Sequence, residues 1–137
     1  MNIFTASPAT VDALWVHAKP HLDRFLKETQ LISPDDILNQ VRTGEKQLWM
    51  AEKDAECVGV VVTDVYEKVR GRICCIWGAC GTVGIKELQP TFLKIESWAR
   101  DIGCVALEVR GRKGWKRVLP EFEETGVLLE KDLRKVH

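Results

Sequence analysis

The stretch RICCIWGACGTVGIKELQPTFLKIESWARDIGCVALEV, Arg72–Val109, decides the fold. Arg72 to Trp77 is apolar and rich in β-formers, so it reads as a strand. Gly78 to Ile85 reads as a loop with glycines at 78, 81 and 84. Leu88, Phe92, Ile95, Ala99 and Ile102 then recur at alternating spacings of four and three, the period of one helix face. Lys86 to Ile102 therefore reads as a helix, with Pro90 near its first turn and Gly103 at its end. Val105 to Val109 returns to a strand pattern. Such a helix spans about 25 Å at 1.5 Å per residue and carries the chain back along the sheet. The two strands it joins should run parallel.

Towards the N-terminus the pattern is an antiparallel meander preceded by two helices. Gln47 to Lys53 and Glu56 to Tyr66 read as strands, separated by the turn Asp54-Ala55, and Lys68 to Gly71 turns the chain into Arg72. Ser33 before Pro34, with Asp35 and Asp36 next, is a helix start, and Ile37, Leu38 and Val41 form its apolar side up to Gly44. Ser7 and Pro8 predict another start, with Val11, Leu14, Trp15 and Ala18 on one face and an interruption at Pro20. A short strand is expected at Ile3 to Thr5. Towards the C-terminus, Lys113 to Leu119 reads as a short helix carrying Trp115, Val118 and Leu119, and Val127 to Glu130 as a strand. The fold class is α/β (α+β): a mixed sheet with helices on both faces, its meander followed by strand-helix-strand-helix-strand.

Composition narrows the function. The 137 residues, 45% hydrophobic and 29% charged, suit one globular domain over 1–137 and exclude a disordered or collagen-like chain. No apolar run approaches the roughly 20 residues that cross a membrane, and no secretory signal is visible, so the expected location is the cytoplasm. Twenty Lys+Arg balance twenty Asp+Glu, which argues against a globally basic nucleic-acid binder. The five cysteines, Cys57, Cys74, Cys75, Cys80 and Cys104, are odd in number and lack C-x-x-C spacing. They read as reduced, small hydrophobic residues rather than a disulfide frame, with Cys80 in the glycine-rich loop set apart. His17 and His21 are four apart with Pro20 between them, and no metal site is expected.

Two segments stand out for chemistry. Gly78-Ala79-Cys80-Gly81-Thr82-Val83-Gly84 joins a strand end to a helix start. Unpaired N–H groups there, and glycines that let a bulky group approach, suit a phosphate or pyrophosphate. An ordinary strand-helix turn explains the same glycines. The second segment, Arg110-Gly111-Arg112-Lys113-Gly114-Trp115-Lys116-Arg117, places cations at a helix start, where the dipole disfavours them. It reads as an anion site or as a solvated turn balanced by Glu121, Glu123 and Glu124. Trp115 is a core plug or a lid. Asp64 and Glu108, at strand positions, are candidate bases.

The order of elements, together with four segments, resembles the GNAT superfamily of acetyl-CoA-dependent N-acetyltransferases. Within it the chain looks most like small acetyltransferase-like proteins of tailed bacteriophages and prophages. The segments are Gln47-Leu48-Trp49, Trp98 to Cys104, Val109 to Leu119 and Val127 to Leu133. The resemblance implies a V-shaped gap between the strands near Trp77 and Val105. Acetyl-CoA would lie in it along Trp77, Gly78, Gly81, Thr82, Val83 and Gly84, with Arg110, Arg112 and Trp115 nearby. It also implies a small-molecule or protein amine acceptor or, for a non-catalytic virion component or assembly factor, phage virion proteins as partners. Location would be the host cytoplasm or the virion. The superfamily's pyrophosphate motif, Q/R-x-x-G-x-G/A, is not intact, since Gly81 and Gly84 stand three apart. The tyrosine often used as acid on the last helix has no counterpart in Trp115 or Phe122. The only tyrosine is Tyr66, which joins Asp64 and Glu108 as a catalytic candidate.

Overall fold

The computed structural model describes residues 1–26 and 32–109. Chain order is β1 (Asn2–Ala6), α1 (Val11–Leu26), α2 (Pro34–Arg42), β2 (Lys46–Lys53), β3 (Glu56–Lys68), β4 (Gly71–Gly81), a 3₁₀ turn (Ile85–Leu88), α3 (Gln89–Asp101) and β5 (Cys104–Val109). Among the described residues the strands form one sheet in sequence order, β1-β2-β3-β4-β5. Adjacent strands from β1 to β4 run antiparallel to one another, and β5 runs parallel to β4 from Arg72 opposite Cys104 to Ile76 opposite Val109. The parallel pair expected from the crossover is present. The expected helix at Lys113–Leu119 and strand at Val127–Glu130 lie outside the described residues, as do Arg110, Arg112, Lys113 and Trp115.

Both faces of the sheet are covered, so its central strands carry consecutive buried residues. In β2, Leu48 and Met50 face α1 and α2, while Trp49 and Ala51 face α3. On the first side Trp15, Leu22, Ile37 and Val41 pack with Leu48, Met50, Val60 and Val62. On the second, Leu88, Phe92, Ile95 and Ala99 pack on Trp49, Val61, Cys74 and Ile76. Lys94 reaches from α3 to the β1 edge, where its Nζ donates to the Ile3 carbonyl at 2.6 Å.

The α2 start follows its sequence signal. Ser33 Oγ accepts the Asp36 N–H, and Asp36 Oδ2 accepts the Ser33 N–H at 2.8 Å, a reciprocal cap around Pro34. The α1 start is shifted: Ser7 O accepts the N–H groups of Thr10 and Val11, so Pro8 sits in a turn and the helix begins at Val11. Pro20 does not interrupt α1. A proline inside a helix costs about 3 kcal/mol, but Val11, Trp15 and Ala18 before it and His21, Leu22 and Leu26 after it are all buried. At roughly 1.5–3 kcal/mol per large side chain, that burial outweighs the lost bond. His21 adds a tie across the layers. Its Nε2 lies 2.9 Å from the Cys57 carbonyl, which can only accept, so Nε2 carries the proton.

The glycine stretch also departs from expectation. Gly78 to Gly81 is strand, not loop, and pairs with Val62 to Gly59. The glycines serve close approach rather than a turn. A Cβ on Gly78 would lie 2.6 Å from the Phe25 ring, and one on Gly81 would lie 2.3 Å from the Val58 carbonyl oxygen. Gly81→Ala should therefore lower stability by about 1–3 kcal/mol, the usual cost of overpacking. Urea unfolding measures this, and an unchanged midpoint would contradict the close packing of β3 on β4.

Candidate functional site

β4 meets β3 in two registers. Gly78 lies opposite Val62, but Ile76 lies opposite Thr63, so Trp77 has no partner on β3. This bulge turns two successive residues to one face. Trp77 packs on the α1 side, and a Cβ on Gly78 would point there too, while Ile76 and Ala79 belong to the α3 side. On its other edge β4 pairs with β5 from Arg72 to Ile76, where the described residues end at Val109. Thr82 N–H donates to the Val58 carbonyl at 2.9 Å, which sets the alternation of the ladder. By that alternation Ala79 and Gly81 direct their N–H and C=O groups away from β3, along an edge unpaired among the described residues.

Past this edge the chain enters the 3₁₀ turn and α3. Thr82 has committed its N–H to the sheet, and Val83 is half-buried against the α3-side core. Gly84 O accepts the Glu87 N–H at 3.0 Å, and a Cβ on Gly84 would meet nothing within 4 Å. Among the described residues the N–H groups of Val83 and Gly84 make no hydrogen bond, and α3 starts without a side-chain cap. Unpaired donors beside open space suit an anion.

On the α1 side of the bulge lies an aromatic and ionic corner. Phe25, in the last turn of α1, meets Trp77 edge-on, with centroids 5.7 Å apart and planes at 74°. Lys46 Nζ sits 5.6 Å from the Trp77 ring centroid and 3.0 Å from Asp64 Oδ2. Strand register explains the grouping: Lys46 opposes Asp64, Asp64 opposes Cys75, and Cys75 opposes Glu108, a row across four strands. Tyr66, two residues beyond Asp64, donates its hydroxyl to Glu108, which also binds Lys68 Nζ. The fold thus brings Asp64, Tyr66 and Glu108 to one face, with Asp64 linked to Trp77 through Lys46. Lys46 escaped sequence reasoning, because a lysine at a strand start after a glycine looks like a solvated end. The bulge left no signal in the sequence at all.

Cys80 is no nucleophile at neutral pH. Burial pushes its thiol up to about 12, against a small opposing pull from Arg24. Burial likewise raises Cys74 to about 12. All five cysteines are free, with Cys74 and Cys75 buried and the other three half-buried. His21 is buried against the Cys57 carbonyl while His17 is exposed, so the two share no site.

Neither a family model nor a curated protein matches the chain. Solved structures do. An aminoglycoside acetyltransferase from an uncultured soil metagenomic sample, in complex with sisomicin, superposes with a TM-score of 0.73 at 11% identity, over 96% of this chain and 95% of its own. A predicted acetyltransferase with acetyl-CoA from Clostridium acetobutylicum gives 0.70 at 16% identity, over 99% and 98%. A ribosomal-protein-alanine N-acetyltransferase from Brucella melitensis biovar Abortus gives 0.66 at 11% identity, over 99% and 97%. This is the fold of the GNAT acetyltransferases. At these identities the likeness is one of fold, and in that fold the bulge at Trp77 lies on the strand before the parallel crossover. No described helix is long and apolar enough to cross a membrane.

The thiols give a pH test. Their folded pKa values of about 12 stand above the ordinary 9.0, so unfolded chains lose these protons first. Stability is fully present below pH 9 and falls as pH rises from there towards 12. Replacing both residues (Cys74→Ala with Cys80→Ala) should flatten that alkaline decline in urea titrations at several pH values. An equally steep decline in the variant would show that other groups cause it.

Proposed function

We propose that the chain is a single-domain GNAT N-acetyltransferase that takes an acetyl group from acetyl-CoA and gives it to an amine. The observation that carries this is the bulge at Trp77, which sets Trp77 and Gly78 on one face of the sheet between an anion-suited turn and an ionic corner. The residues fit the coenzyme. Val83 and Gly84 offer unbonded N–H groups, and the space beside Gly84 is open to a pyrophosphate. When bound, acetyl-CoA supplies an acyl group activated as a thioester.

The chain's own residues do the rest. The main-chain N–H of Ala79, next after the bulge and directed away from β3, stabilises negative charge on an oxygen, a contribution worth roughly 10²–10³ in rate at comparable sites. Asp64 accepts the proton that an attacking amine gives up. Lys46 holds that carboxylate by an ion pair at 3.0 Å. Phe25 and Trp77 form the aromatic wall of the corner. Tyr66 and Glu108, already bonded to each other, form a second proton-handling pair on the same face. The acceptor is a small-molecule or protein amine. The structural neighbours that carry acetyl-CoA and sisomicin support this reading.

A second reading has its own support. Thr82 spends its N–H on Val58, and the glycine spacing departs from the superfamily motif, as suits a GNAT-like protein that has lost its coenzyme. Such a protein would be a virion component or assembly factor, and that phage context rests on the sequence segments alone.

Isothermal titration with acetyl-CoA separates the two. Binding to the parent protein is expected. Gly84→Asp, which sets a negative charge in the open space, should weaken that binding at least tenfold and leave the melting temperature unchanged. No binding by the parent protein would favour the second reading. Asp64→Asn should lower turnover of an amine acceptor by about 10²-fold, the low end for loss of a general base, with coenzyme affinity retained. Unchanged turnover would remove Asp64 from the reaction.

A further inference from the structure

We propose that Lys46 is itself an acetyl acceptor, modified by its own protein when acetyl-CoA is bound and no outside amine fills the corner. The inference rests on the coenzyme reading above. Among the described residues Lys46 is the one lysine that is not exposed. Its side chain retains 10% exposure, against 47% for Lys19 and 51% for Lys68. Its Nζ lies 5.6 Å from the ring of the bulge residue and 3.0 Å from a carboxylate that can take its proton. Attack needs an approach of about 3–3.5 Å to the acyl carbon, which a flexible lysine stem beside the bulge would make. The corner thus holds a primary amine, a proton acceptor and the bulge where an acyl group would sit.

The step balances without further reagents. The bond from Nζ to the acetyl carbon forms and the thioester C–S bond breaks. Of the two protons that the ammonium gives up, one passes through Asp64 to solvent and the other ends on the sulfur of coenzyme A. The product is a neutral amide. It removes the cation from the Trp77 face and leaves Asp64 without its partner, so the corner gains one negative charge.

Exposure makes the test sharp. A reagent that acetylates lysines without a binding site, such as acetyl N-hydroxysuccinimide, should modify them in order of exposure, with Lys46 slowest among the described ones. Acetyl-CoA should invert that order. Incubating the full chain with acetyl-CoA and no acceptor, then mapping peptides by mass spectrometry, should find acetylation at Lys46 at least tenfold faster than at Lys19 or Lys68. Lys46→Arg should lose this modification and keep coenzyme binding by calorimetry. Asp64→Asn should slow it tenfold or more while binding persists. The mapping on the parent chain decides the matter even if a variant fails to fold. Bound acetyl-CoA with Lys46 unmodified, or labelling that follows exposure, would overturn the proposal and leave the coenzyme reading standing. Absence of acetyl-CoA binding would overturn both.

Discussion

Trp77 stands on β4 with no partner on β3, and the aromatic side of the candidate site follows from that extra residue. A regular strand would alternate its side chains and send Gly78 to the α3 side. The bulge resets the alternation. It delivers Trp77 and Gly78 to the same face, where Phe25 covers the glycine and meets the tryptophan edge-on. Beyond it, Ala79 and Gly81 turn their main-chain polar groups away from β3.

That arrangement needs a rigid surround, and the two layers supply it. α3 packs on Cys74, Ile76 and Ala79 from below, which fixes β4 on both sides of the bulge. From above, α1 runs through Pro20 without a break, held by the apolar residues on either side of it and by the His21 bond to Cys57. Its last turn carries Phe25. The cost of a proline within the helix is thus borne by the packing that puts an aromatic ring over Gly78. The row from Lys46 to Glu108 depends on the sheet alone, since register across four strands brings those residues into line.

What was legible in the sequence was local. The spacing of Leu88, Phe92, Ile95 and Ala99 announces the buried face of α3, and the crossover it makes dictates a parallel partner for β4. Ser33 and Pro34 announce α2. What escaped was decided by partners far along the chain. Gly78 and Gly81 look like loop residues, yet their lack of a side chain answers to Phe25 and Val58 rather than to their own dihedral angles. Pro20 looks like a break, because local propensity counts its lost hydrogen bond and not the burial of Leu22 and Leu26. Asp64 and Glu108 were visible as acidic strand positions. Their union on one face with Tyr66, and the half-buried lysine beside Asp64, required a register that no short window encodes.

The strand order of the sheet, the same as the order in the chain, bears on how the molecule is made. β3 and β4 each pair with the strand that leaves the ribosome just before, through a short turn. Contacts of low sequence separation form quickly, so the meander can assemble while the rest is still being synthesised. β1 must wait for β2 across both helices, and β5 must wait for α3. An unfinished chain therefore exposes both flanks of a three-stranded core, and the β4 flank is the one that carries the bulge. During synthesis that flank is open to other chains, and the arrival of α3 and β5 ends the exposure.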